Sequence, residues 1–229
     1  MTDPAPARAP YAIAVEYRSP SSFLMAYSTS LSRGGLFLET GRELPVGAAL
    51  ELALEVPGVS TVGVQGQVTW RRAEPGPDGP RGIAVEVAEV SASVGALIDQ
   101  LVSSFHGIPV LVMAGDARDR ATIGRLVRSA ITSADLAQAS DAAAVELLLD
   151  DQIDLLVVDL DGDPEGGRAA IRRARALPRA VPVIALASTP LLRELARAAG
   201  ADELVANPPT IDELRLAVVR ALGRPLAIR

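Results

Sequence analysis

The chain has 229 residues, of which 49% are hydrophobic and 22% charged, a composition typical of a globular protein with room for two ordinary domains. The formal net charge is −6 and neither half is basic, which argues against nucleic acid as the main partner. Cysteine is absent and histidine occurs once, which excludes disulfides, cysteine-held zinc and a cysteine nucleophile. The sequence shows no membrane-spanning apolar run and no signal-type segment in residues 1–10, so we expect a cytosolic protein without membrane insertion.

The first half of the chain has the pattern of a small β domain. Residues 1–10 are rich in proline and alanine, which predicts a flexible arm. Short runs of mostly alternating polarity, separated by proline and glycine turns, predict strands at 12–17, 22–27, 35–39, 49–56, 61–70 and 82–87. Such a series predicts a small antiparallel barrel. Apolar residues with helical spacing from Val94 to Phe105 predict a terminal helix, and we place the domain boundary after His106.

One segment of this half carries a motif, Ser30-x-Ser32-x-x-Gly35, that leads into a predicted strand. It resembles the Asp/Asn-x-Ser-x-x-Gly motif of the PilZ family. The runs at 44–47, 66–70 and 82–85, with sequences LPVG, GQVTW and GIAV, are similar to later strands of that family, especially its divergent myxobacterial-type branch. The resemblance covers roughly residues 8–105 and implies a PilZ-like domain at 11–106.

The resemblance implies a ligand, because PilZ domains typically bind cyclic di-GMP through this motif and an upstream Arg-x-x-x-Arg. Planar guanidinium groups can both grip phosphate and stack on guanine. In this chain neither Arg8 nor Arg18 is followed by another arginine four residues later, and Ser30 stands where the family has Asp or Asn. Each lost contact is worth ~1.5–3 kcal/mol, which predicts weakened binding. The candidate nucleotide-binding residues are Arg8, Ser30, Ser32, Arg33 and Gly35; the alternative interpretation is that Ser30–Gly35 is only a tight turn.

The second half alternates buried strands with amphipathic helices. Apolar runs predict strands at 109–113, 135–139, 154–158, 181–186 and 203–205. Helix starts are indicated by Asp163-Pro164, by Thr189-Pro190 and by a capping box from Thr210 to Glu213. Five such units with right-handed crossovers predict a doubly wound, five-stranded parallel sheet at 107–229.

This half resembles the receiver domain of response regulators, with the same flavodoxin-like fold. The resemblance lies in residues 154–163, which match the strand ending in the phosphoaccepting aspartate, and in residues 200–208, which match the Gly-Ala-Asp to Lys-Pro segment. It implies Asp159 as the phosphoacceptor position. The remaining functional positions have changed. The acidic pair falls on Ala114 and Gly115 with Asp116 next to it, the switch Thr/Ser falls on Ala187 with Ser188 next to it, and the lysine is Asn207.

We expect Asp159 to be a hydrogen-bonded remnant that is not phosphorylated, because a phosphoryl group brings about two negative charges that metal and lysine must neutralise. The sequence contains no lysine at all. One alternative is a phosphorylated regulator in which Asp161 or Asp116 completes a magnesium site. Another is a phosphatase resembling haloacid dehalogenases, with Asp159 and Asp161 as the Asp-x-Asp pair. Acids of this loop, including Asp163, are otherwise expected to be helix caps and solvated charges.

The sequence thus predicts a non-catalytic bacterial signalling protein in which a PilZ-like module is joined to a pseudo-receiver. No cofactor and no metal are expected, with cyclic di-GMP as the alternative ligand. The two resemblances imply action through protein partners, with roles in motility, polarity or surface regulation. The candidate partner surface, which would also serve a homodimer, lies within residues 191–222 and comprises 191–198, 203–205 and 211–222.

Overall fold

The computed structural model describes residues 11–31, 34–76, 80–87 and 92–229. The chain forms two compact units. The first contains Tyr17 and the described residues before it, Tyr27–Ser103 and Pro225–Arg229, and the second contains Arg18–Ala26 and Ser104–Arg224. The sequence predicted two uninterrupted domains, 11–106 and 107–229. The structure differs because a short segment near each end belongs to the other unit. The predicted arm, residues 1–10, lies outside the described residues.

The first unit is built on a six-stranded sheet with the order β11-β1-β3-β4-β5-β2. Alternating burial along the strands places one apolar face in the core, as period-two patterning requires. The predicted barrel therefore corresponds to a sheet that is mixed and not purely antiparallel, since β1 and β3 run parallel. The strands are β1 (Tyr11–Glu16), β2 (Gly35–Leu38), β3 (Ala49–Glu55), β4 (Val62–Arg72), β5 (Gly82–Val87) and β11 (Ala227–Ile228).

The two-residue strand β11 was not predicted. Ala227 and Ile228 pair antiparallel with Glu16 and Val15 of β1. A segment this short has no detectable period, so its pairing depends on where the chain places it. The predicted terminal helix of the unit is confirmed as α2 (Ala92–Ser103), whose buried side chains are Val94, Leu97 and Leu101.

The predicted strand at 22–27 is wrong, because these residues lie in helix α1 (Pro20–Thr29). The Ser19 hydroxyl accepts a hydrogen bond from the Ser22 N–H at 3.2 Å, and Pro20 occupies the first helical position. This arrangement is a standard helix start. Phe23 and Ala26 are buried three residues apart, a spacing that fits a helix and not a strand.

The second unit confirms the predicted doubly wound sheet. Five parallel strands have the order β10-β9-β8-β6-β7, which is the flavodoxin-like order 2-1-3-4-5 read from the other edge. The strands are β6 (Ile108–Met113), β7 (Ala134–Ala139), β8 (Leu155–Asp159), β9 (Val183–Leu186) and β10 (Glu203–Val205). The helices are α3 (Ala117–Ala130), α4 (Ala142–Leu148), α5 (Pro164–Ala176), α6 (Pro190–Ala199) and α7 (Ile211–Gly223).

Both faces of this sheet are buried. One face packs against α3 and α7, and the other packs against α4, α5 and α6. Every residue of β8 is buried, so the strand reads as one continuous apolar run that ends in Asp159. The predicted helix starts are present: Asp163, Thr189 and Thr210 are N-caps, and Thr210 forms the capping box with Glu213. These caps fix the loops at the carboxyl edge of the sheet.

No helix in the part of the chain that the structure describes combines the length and the apolar character needed to cross a membrane.

Candidate functional sites

The first candidate site lies at the carboxyl edge of the parallel sheet, where β8 ends in Asp159. The Asp159 side chain is buried, with 5% of the residue exposed. One of its oxygens, Oδ1, accepts hydrogen bonds from the Asp161 N–H at 3.0 Å and from the Asn207 side-chain amide at 2.9 Å. Burial raises the pKa of the Asp159 carboxyl above its ordinary value, the Asp161 N–H lowers it, and the negative charges of Asp161 and Asp119 raise it further.

Asp161 is exposed and is held by the loops that follow the two neighbouring strands. Its carboxylate accepts from the Asn207 side-chain amide at 2.6 Å and from the Ser188 N–H at 3.2 Å. The Ser188 hydroxyl donates to the same carboxylate. Asn207, which the sequence resemblance aligns with the receiver lysine, therefore bridges Asp159 and Asp161 with one neutral amide group.

The end of β6 contributes no carboxylate to this pocket. Ala114 is fully buried, and Gly115 has no side chain. Asp116 is the N-cap of α3 and accepts from the N–H groups of Arg118 at 2.7 Å and Asp119 at 3.2 Å. Asp116, the carboxylate next to the two positions aligned with the receiver acidic pair, therefore serves as a helix cap.

The residues of the pocket do not fit the magnesium ion that active receivers hold. Magnesium needs several oxygen ligands in near-octahedral geometry. Asp116 caps α3, Asp161 is bound to Ser188 and Asn207, and Asp163 accepts from the Gly166 N–H at 2.9 Å as the cap of α5. Across the described residues, no three acidic or histidine side chains converge as a metal-ligand group.

The residue aligned with the switch position has no hydroxyl, and both carboxylates of the alternative phosphatase pair accept hydrogen bonds from one amide. Ala187 is buried and has no hydroxyl, and its carbonyl oxygen accepts from Arg193 Nε at 3.2 Å. The neighbouring Ser188 hydroxyl is directed to Asp161. An Asp-x-Asp phosphatase needs one carboxylate to attack and the other to transfer a proton, whereas the same Asn207 amide holds both here.

The second candidate site is an open cleft of about 450 Å³ in the first unit. It contains two residues of the sequence motif, Ser30 and Gly35. Gly34 has a positive φ of 81°, and its N–H donates to the Leu31 carbonyl at 3.0 Å, so the motif includes a tight turn. The other candidates, Arg8, Ser32 and Arg33, lie outside the described residues. The lining residues are Thr29, Ser30, Gly34, Gly35, Leu36, Phe37, Thr69, Trp70, Ala84, Val85 and Glu86.

An aromatic pair forms one wall of this cleft, and the sequence analysis did not identify it. The Phe37 and Trp70 rings stack with centroids 5.5 Å apart. Both residues lie opposite Ala84 of β5 in the sheet: Phe37 on the neighbouring strand β2, and Trp70 on the neighbouring strand β4, just after a register shift. The small Ala84 side chain leaves the two rings room to meet. The Arg72 guanidinium lies 5.3 Å from the Trp70 ring centroid and 5.6 Å from that of Phe37, and its Nη1 donates to the Pro80 carbonyl at 3.1 Å.

Arg18, one of the two arginines considered for the upstream motif, belongs to the second unit. It is only 6% exposed, and its guanidinium donates to the carbonyl oxygens of Ile153, Arg179 and Asp151. Asp154 is buried beside it. Burial raises the pKa of the Asp154 carboxyl, and hydrogen bonds from Ser19 and Ser21 and the positive charge of Arg18 lower it. Arg18 is therefore a structural group, bound in the core of the second unit.

Residues 5–104 match the PilZ domain family. Among curated proteins, the comparison found no match.

Solved structures that resemble the chain overlap about half of it. A response regulator receiver domain protein from Clostridium thermocellum is 21% identical, with 51% of this chain and 94% of that one covered and a TM-score of 0.45. The receiver domain of a sensor histidine kinase from Pseudomonas aeruginosa, with magnesium in its active-site cleft, is 26% identical over 51% and 98%, with a TM-score of 0.45. A putative pilus assembly protein from Burkholderia thailandensis is 24% identical over 51% and 99%, with a TM-score of 0.45.

The chain therefore carries a PilZ domain at residues 5–104, and the strand order of the remainder defines a receiver-like, flavodoxin-type fold. A chain that joins these two modules is a signalling or regulatory protein.

Proposed function

We propose that this protein is a non-catalytic regulator whose receiver-like unit has no phosphoryl switch and acts by binding protein partners. The observation that carries the proposal is the double hydrogen bond from Asn207 to Asp159 and Asp161. A neutral amide stands where a receiver places its lysine, and it is already engaged. The two family resemblances suggest roles in motility, polarity or surface regulation.

Electrostatics supports the absence of a switch. A phosphoryl group on Asp159 would add about two negative charges next to Asp161 and Asp119, which already raise the pKa of Asp159. The guanidinium groups of Arg120 and Arg193 at the pocket rim donate to the carbonyl oxygens of Ala114 and Ala187. Both guanidinium groups are therefore engaged by main-chain carbonyls.

The test is a titration of the whole chain with magnesium and beryllofluoride, a phosphoryl mimic, followed by amide NMR. We expect no saturable shift at Asp159 or its neighbours. Saturable shifts centred on Asp159 that disappear in Asp159→Asn would refute the proposal. Activity on a generic phosphoester with magnesium, lost in the same variant, would instead favour the phosphatase alternative.

The proposed partner surface is made by α6, β10 and α7. It exposes two large apolar side chains, Leu191 at 69% and Leu216 at 51%. The acidic residues at the start of β10 are paired within the unit, since Glu203 lies 3.9 Å from Arg220, and Asp202, just before the strand, lies 3.2 Å from Arg175. Apolar groups next to paired charges suit a protein interface, in which unpaired charge is disfavoured.

A second copy of the chain is the partner that can be tested directly. Sedimentation velocity is expected to show concentration-dependent dimerisation that Leu216→Asp abolishes. Leu147→Asp is the matched control, because Leu147 is 87% exposed but lies on α4, outside this surface. A monomer at every concentration, or equal loss in both variants, would contradict self-association through this surface.

A second candidate function is cyclic di-GMP binding by the first unit, and the observation that favours it is the cleft beside Ser30 and Gly35. An aromatic wall with a guanidinium over it can stack against a planar ring. Against it, Arg18 is buried in the second unit and does not serve the cleft. Calorimetric titration with cyclic di-GMP tests the idea. Binding heat that is lost in Trp70→Ala and kept in Tyr11→Ala, another exposed aromatic of the unit, would support it, and the absence of heat would exclude it.

A further inference from the structure

The pocket at the carboxyl edge contains a set of neutral hydrogen-bond donors that meet on one carboxylate. We propose that Ser188 and Asn207 form an anion-binding site whose ligand is the Asp161 carboxylate of the same chain. The donors are the Ser188 N–H at 3.2 Å and 3.3 Å from the two carboxylate oxygens, the Ser188 hydroxyl, and the Asn207 amide at 2.6 Å. The Asn207 amide also donates to Asp159 at 2.9 Å.

The chemistry of the donors suits a carboxylate better than a phosphoryl group. A main-chain N–H, a hydroxyl and an amide carry no formal charge, so together they can solvate one negative charge. A group with two negative charges would need a cation as well. The orientation of Asn207 follows from the same requirement, since its NH₂ group can donate to both carboxylates whereas its carbonyl oxygen would repel them.

The hydrogen bonds to Asp161 connect the loops that follow three strands of the sheet. Asp161 follows β8, Ser188 follows β9 and Asn207 follows β10, so the carboxylate joins three loops of the edge at which receivers change state. Because Asp161 is attached two residues after Asp159, its effective concentration at the site exceeds that of free anions. The internal carboxylate thus holds the three loops in one arrangement without phosphorylation.

This inference rests on the proposed absence of a phosphoryl switch, and its test uses a separate readout. In the 229-residue chain, Asp161→Ala removes the internal anion while leaving both donor residues in place. Asp161 is exposed, so the substitution opens no core. We expect Ser188 amide hydrogen exchange to become at least about tenfold faster than in the wild type. We also expect acetate, a carboxylate with one negative charge, to produce saturable NMR shifts at Ser188 and Asn207 in the variant and none in the wild type.

The matched control is Asp119→Ala. It removes a negative charge that acts on Asp159, but Asp119 takes part in none of the Asp161 hydrogen bonds. The control is expected to retain the wild-type exchange rate at Ser188 and to remain insensitive to acetate. If Asp161→Ala leaves Ser188 exchange unchanged, or if acetate binds to the variant no better than to the wild type, the inference is overturned. Beryllofluoride shifts at Asp159 in the wild type would refute the proposed function instead, whichever way Ser188 behaves.

Discussion

Replacing Arg18 by alanine should destabilise the second unit strongly, although the residue lies in the first twelfth of the sequence. Its guanidinium is buried and donates to the carbonyl oxygens of Ile153, Arg179 and Asp151. The substitution would leave these acceptors without their donor. It would also remove the positive charge that lowers the pKa of the buried Asp154 carboxyl.

The expected loss is about 3–5 kcal/mol. A hydrogen bond from a charged donor is worth about 1.5–3 kcal/mol, and two of the three bonds from Arg18 are short. The third, to the Asp151 carbonyl, is 3.3 Å long and adds less. Removing one member of a buried charge pair costs about 3–5 kcal/mol in other proteins, which agrees with this estimate.

Urea unfolding measured by circular dichroism gives the free energy of unfolding. Fluorescence separates the units, because the single tryptophan, Trp70, lies in the first. We expect the dichroism transition to shift to lower urea in Arg18→Ala. Arg125→Ala is the control in the same unit, since Arg125 is exposed and donates to the Thr122 hydroxyl on its own helix, and it should change stability by less than about 0.5 kcal/mol.

Asp154→Asn in the Arg18→Ala background should recover part of the loss, since it removes the carboxylate charge that the substitution leaves buried. A loss below about 1 kcal/mol in Arg18→Ala, no larger than that of the Arg125 control, would refute the structural role of Arg18.

Two further predictions concern the two sheets. Asp159→Asn should stabilise the chain at pH 7, because burial raises the folded-state pKa of Asp159 and its ionised form therefore opposes folding. This gain should vanish when the pH is lower than the unfolded-state pKa of the carboxyl. Urea unfolding midpoints at pH 7 and at such an acidic pH would check both statements. Gly82→Ala should lower the free energy of unfolding by about 2 kcal/mol or more, since its Cβ would lie 2.2 Å from the Leu38 carbonyl oxygen. Gly63→Ala is the control, because no atom lies within 4 Å of its new Cβ, and it should cost no more than an ordinary strand substitution. Trp70 fluorescence would follow the unfolding of both variants. Equal midpoints for the two glycine variants, or a gain for Asp159→Asn that persists in acid, would contradict these expectations.

The sequence predicts the second unit well because its strands are buried on both faces. A run such as Leu155–Asp159 is apolar throughout and ends in a charged residue, and the helix caps that follow have local signatures. Local signals fail where structure depends on distant residues. The strand predicted at 22–27 is a different case, because the local Ser19-Pro20 cap indicates a helix there and the alternating pattern competes with it. The short strand β11 has too few residues to show a period.

The site residues show the same limit. The position of Asp159 at a strand end follows from the pattern, but the bridge from Asn207 to Asp159 spans 48 positions and depends on loop geometry. The partners of Arg18 are main-chain carbonyls at least 133 positions away, and main-chain groups have no sequence signature. The stack of Phe37 on Trp70 depends on the register shift in β4, which the alternating pattern alone did not reveal.

The central claim is that Asp159 accepts no phosphoryl group. It is tested most directly by incubating the protein with acetyl phosphate and magnesium, quenching in acid and measuring the intact mass. The account predicts an unmodified mass for the wild type and for Asp159→Asn alike. A phosphoryl adduct that forms on the wild type and is absent from Asp159→Asn would contradict it.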